Sequence, residues 1–138
     1  IRAGLFDVVA RQLAAGLPPE LLAVLRSGVA RLEALADGVH DGDAYAETTY
    51  RLILIAARFS GNRRLAQMLG ALSLQTLRYS KLGLESVERR RRSVRLWRQA
   101  LVALERGDAD KLMALSRQRI AESGEEAARR LAAPGRAR

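Results

Sequence analysis

A chain of 138 residues that is 49% hydrophobic can enclose one core and is too apolar to stay disordered. It has no cysteine, which removes disulfides and thiolate metal sites and fits a reducing cytoplasm; no apolar run approaches the roughly 20 residues that span a bilayer. A formal charge of +9 points to an anionic partner, either nucleic acid or an acidic small molecule, although an arginine-rich surface can also serve solubility alone.

Leu, Ala and Arg outnumber Val and Ile, a balance that favours helix because these side chains lose little freedom there. Breakers and periodicity predict six helices. The first runs from about Leu5 to Ala15 and stops at Gly16. Pro18 and Pro19 open the second, where proline's missing N–H is no loss, and it ends near Asp37-Gly38. Its Leu21, Leu25, Val29 and Leu32 share one face.

After the linker Val39 to Gly42, Asp43 is the expected N-cap of a third helix reaching Phe59. That helix carries apolar residues on nearly every face, so it should lie at the centre of an all-α antiparallel bundle. Asn62 caps a fourth helix, expected to continue to about Lys81. A fifth runs from Leu84 to Arg106, with Val94, Trp97, Leu101 and Leu104 on one stripe. Gly107 ends it, and Asp108 caps a sixth that reaches about Leu131. One domain over residues 1–133 is expected, with a frayed tail from Pro134 to Arg138. The chain starts on Ile1, shows no secretory leader, and reads as a trimmed segment.

No enzyme motif is present: no glycine-rich phosphate loop, no nucleophile elbow, no paired metal-binding histidines. The one histidine, His40, falls in a linker and reads as a surface residue. No catalytic residue is assigned, and no metal or other cofactor is expected. The run Arg89-Arg90-Arg91-Arg92, followed by Arg95 and Arg98, is the strongest basic cluster. Four consecutive arginines point all round a helix, so they cannot share one groove of a nucleic acid. A solvated or interface face is the plainer reading, and an arginine-rich nucleic-acid-binding module the alternative.

The stretch Asp43 to Arg51, leading through Leu52 into the turn Ser60-Gly61-Asn62, resembles the FCD-type effector domain of GntR-family transcription regulators, with further similarity to its FadR-like branch. Arg78-Tyr79, Gly107-Asp108 and Ser123-Gly124-Glu125 fit the same order and spacing, and Leu5 to Val8 fits the first helix weakly. The resemblance implies a helical bundle that binds an effector and pairs as a homodimer. It also implies a winged helix-turn-helix DNA-binding domain upstream of this chain.

Many FCD domains hold a metal through one Asp and three His. Carried onto this sequence, those four positions fall on Thr49, Ile53, Trp97 and Arg119. Isoleucine, tryptophan and arginine do not ligate divalent ions. The resemblance therefore implies a sensor in which Arg119 anchors a small anionic effector, a carboxylate or an acyl-CoA, directly through its guanidinium. Trp97 would be an apolar wall; plain core is the competing reading. Ser123, Arg78 and Tyr79 are further effector-binding candidates, with Arg51 and Gln75 beside them. The third helix could line an acyl channel or serve simply as core.

Overall fold

The computed structural model describes residues 1–132 and contains seven helices among them, with no strand. The expected tail from Pro134 to Arg138 lies outside these residues. Helix α1 spans Arg2–Ala15, α2 Pro19–Ala36, α3 Gly42–Phe59 and α4 Arg63–Gln75. They are followed by α5 Leu77–Gly83, α6 Val87–Glu105 and α7 Ala109–Ala132.

The punctuation of the chain acts as its chemistry dictates. Pro19 occupies the first position of α2. Asn62 Oδ1 accepts from the Leu65 amide at 3.0 Å, and Asp108 Oδ1 accepts from the Lys111 amide at 3.0 Å. Gly61 and Gly107 take φ of +79° and +70°, the left-handed turn that lets a chain leave a helix without a Cβ clash.

Four boundaries differ from the sequence reading. Helix α1 begins at Arg2 rather than about Leu5. Asp43 is not the N-cap of α3; Asp41 holds that position without a side-chain bond, and Asp43 sits inside the first turn, where its charge suits the helix dipole. Helix α6 starts at Val87 rather than Leu84, because Ser86 Oγ caps it through the Arg89 amide at 3.2 Å. The expected fourth helix is two helices. Thr76 turns its hydroxyl back to the carbonyls of Leu72 and Ser73, at 3.1 and 3.3 Å, and the chain breaks there.

Helix α3 packs against α1, α2, α4, α5 and α6, which makes it the central element. Tyr45, Ala46, Thr49, Leu52, Ile53, Ala56 and Ala57 on it are buried. Helix α7 closes the opposite side against α1, α5 and α6. Gly83 allows α5 to approach α7 closely: a Cβ there would fall 2.2 Å from the Ser123 carbonyl oxygen. Among the described residues, no helix is long and apolar enough to cross a membrane.

Candidate functional site

Two small chambers adjoin between α1, α3, α6 and α7. The first is apolar, offers about 40 Å³ to water centres, and is walled by Leu, Ile, Phe and Ala side chains with Trp97, Ser116 and Arg119. The second offers about 20 Å³ and is far more polar, lined by Arg2, Thr49, Ser73, Ser80, Ser93, Arg119 and Ser123 among others. Ile53 and Arg119 belong to both walls, so they form the partition. Since one water needs roughly 10–15 Å³ of such space, the two chambers together hold only a few non-hydrogen atoms as they stand.

Arg119 is half-buried, with its guanidinium carbon 4.4 Å from the centre of the Trp97 ring. This is cation–π geometry. Among the described residues it has neither a carboxylate partner nor a hydrogen bond. Burial, then the neighbouring Arg2 cation, hold its guanidinium down to about 10, with the Tyr45 hydroxyl acting the other way. It therefore remains charged near neutrality, but unfavourably so. Arg2 is itself lowered by burial, and its Nη1 donates to Thr76 Oγ1 at 2.8 Å. Two cations thus line one small polar chamber, and among the described residues no acidic one lines it.

The polar groups around these cations are unevenly satisfied. Thr49 Oγ1 donates to the Ala46 carbonyl at 2.7 Å, and Tyr45 OH donates to the Arg90 carbonyl at 3.3 Å. The Tyr45 hydroxyl is pushed up to about 12 by burial, against a hydrogen bond with Ser93 and the charges of Arg119 and Arg90. Ser73 Oγ and Trp97 Nε1, by contrast, are buried without a partner among the described residues.

The residues singled out from the sequence divide into two groups. Thr49, Ile53, Trp97, Arg119 and Ser123 all line the chambers. Arg78 and Tyr79 do not. They are exposed, with the Arg78 guanidinium 4.9 Å from the Tyr79 ring centre and Arg78 Nη2 donating to Tyr79 OH at 3.0 Å. The break at Thr76 sets the phase of α5 so that Leu77, Ser80 and Leu84 face the polar chamber instead. Tyr79 borders an outer groove, together with Arg2, Thr76 and Ser123. Arg51 and Gln75 are exposed as well.

Sequence reasoning missed Arg2 and Ser73. Each lies on a helix whose local pattern marks it as an ordinary polar residue. Only the packing of α1 and α4 onto α7 and α3 brings them to Arg119.

The four positions equivalent to the metal ligands of FCD domains do converge here. Thr49, Ile53 and Arg119 share one chamber, and Ile53, Trp97 and Arg119 the other. Their chemistry does not fit a divalent ion. One hydroxyl is bonded to its own helix, and the others are an aliphatic group, an indole and a cation. Among the described residues no group of three or more His, Cys, Asp or Glu could hold a metal.

The geometry is that of an all-helical bundle with a small site between its central helix and its last two helices. The FCD domain family model matches residues 1–122, and the chain belongs to that family, the C-terminal effector-binding domain of GntR-family regulators. FCD is a regulatory ligand-binding family, not a catalytic one. No curated protein and no solved structure matches the chain.

Proposed function

We propose that this domain senses a small carboxylate held directly by Arg119, with no metal between them. In this reading it is the effector-binding and dimerisation part of a DNA-binding regulator. The observation that carries the reading is a guanidinium packed in the core on Trp97, beside a second cation and without an acidic partner. Such a charge is destabilising on its own, and a carboxylate forked onto it relieves both desolvation and repulsion. Arg2 supplies a second positive group at the same chamber, and Ser73 a free hydroxyl.

The size of the chambers favours a short carboxylate over an acyl-CoA, whose chain would need the Leu- and Ala-rich core to open. Paired through a second copy, the domain would convert occupancy into a change in spacing of two DNA-reading heads. The arginine-rich nucleic-acid reading loses support, because the run is largely consumed internally. Arg89 pairs with Glu126, Arg91 with Asp37, Arg92 with Glu122 and Arg98 with Glu33, while Arg90 is buried.

Short carboxylates should raise the melting temperature of the domain, since they bind only the folded state. Arg119→Ala should weaken their binding by about a hundredfold, as expected when one side of a buried charged contact is removed. Calorimetric titration of both proteins measures this, and equal affinities would sink the reading.

A further inference from the structure

Two buried polar atoms have no partner among the described residues, and each belongs to a residue that lines a chamber beside Arg119: Ser73 Oγ, at the polar chamber, and Trp97 Nε1, at the apolar one. The serine is the weaker clue, because a hydroxyl rotates and accepts as readily as it donates. The indole is more informative. Its N–H can only donate, it is fixed by the ring, and buried indoles normally find an acceptor.

Trp97 is 7% exposed, so bulk water does not serve it. The walls of its chamber are hydrocarbon apart from Ser116 and Arg119. Arg119 has no acceptor atom, and Ser116 makes no bond to the indole. A tryptophan that served only as core would gain more from a ring without this orphaned group.

The geometry ties this donor to the anion site. With the Arg119 guanidinium carbon 4.4 Å from the indole centre, a carboxylate on Arg119 lies within a few bonds of the Trp97 ring. Resting on the carboxylate reading above, we infer that Trp97 is the specificity-determining residue of the site. Its Nε1 donates to a second oxygen, hydroxyl or carbonyl, carried on the body of a short carboxylic acid. A plain alkyl acid would seat its carboxylate on Arg119 but leave the indole unpaired, and sites built around a ligand oxygen discriminate against analogues that lack it.

Calorimetric titration of the chain with butanoate and pentanoate, against the hydroxy- and oxo-acids of the same lengths, tests the inference. The best oxygenated acid should bind about tenfold more tightly than its plain counterpart, the worth of one added hydrogen bond. Trp97→Phe should erase that preference while still binding the plain acid, with its melting curve confirming the fold. The sequence holds a single tryptophan, so one indole N–H resonance reports the contact in the unaltered protein. It should move strongly with the oxygenated acid and little with the plain one.

Equal affinities in the unaltered protein, a preference that survives Trp97→Phe, or an indole resonance indifferent to the added oxygen would each overturn the role of Trp97 while leaving the carboxylate reading intact. Failure of every acid to bind the folded protein would overturn both.

Discussion

Two guanidinium groups in the interior of this domain, Arg90 and Arg119, are treated in opposite ways. Arg90 is fully buried and donates to four carbonyls: Ala36, Gly38, Leu84 and Glu85. These are the loose ends of the α2–α3 and α5–α6 connections, so one side chain closes two loops onto α6. Arg119 sits beside Trp97 and a second cation, with no hydrogen-bond acceptor or carboxylate partner among the described residues. The first is a cross-link whose donors have been matched by backbone. The second is half of a contact. Burial alone therefore does not say what a charged residue is for; the inventory of acceptors around it does.

The comparison predicts opposite responses to truncation. Arg90→Ala leaves several buried carbonyls without donors as well as a void, and should lower stability by about 3 kcal/mol or more. Lysine at this position should recover little, because a single ammonium cannot spread across four acceptors as the planar fork does. Denaturant unfolding measures both, and carboxylate affinity in the remaining folded protein should be unchanged. A loss below about 1 kcal/mol would mean that the carbonyls are served by water once the guanidinium is gone.

Arg119→Met should act in the other direction. Replacing a poorly compensated buried charge by an apolar side chain of similar length should stabilise the ligand-free domain by about 1 kcal/mol, a few degrees in melting temperature, while abolishing carboxylate binding. A melting temperature that falls instead would show that stacking on Trp97 outweighs desolvation, and the contrast between the two arginines would collapse.

The same contrast explains what could be read from the sequence. Gly16, Pro19, Asn62, Gly107 and Asp108 marked helix ends correctly, because caps and breakers act on their own few residues. Thr76 broke a helix unannounced, since threonine is tolerated within helices and its back-bonding is decided by context. Thr49, Ile53, Trp97 and Arg119 were legible as a cluster through family spacing, and the packing brings them together. Arg2 was not, since a first-turn arginine looks like any surface cation until α1 is docked. Arg90 was hidden for a similar reason: within four consecutive arginines, nothing local distinguishes the one that points inward.

A third arrangement of arginines lies at the α6–α7 seam, where Glu126 is buried beneath Arg89, Arg129 and Arg130. Hydrogen bonding from Arg129, helped by Arg130 and by the Arg89 charge and opposed by burial, pulls its carboxyl down to about 2. An unfolded glutamate titrates near about 4.3, so on acidification the unfolded chain takes up the proton first. The stability that Glu126 contributes is therefore complete above that value and is lost as pH falls from it toward 2. Arg129 is largely exposed, and water screens its share, so the effect is no larger than the one at Arg119: Glu126→Gln should lower neutral-pH stability by about 1 kcal/mol. Because other carboxylates titrate in the same window, the readout is the difference between the melting curves of the two proteins across it. That difference should shrink as pH falls. If instead it is absent at every pH, the seam is not held by these pairs, Arg89 is free to meet an outside anion, and the case against the arginine run as a binding surface weakens accordingly.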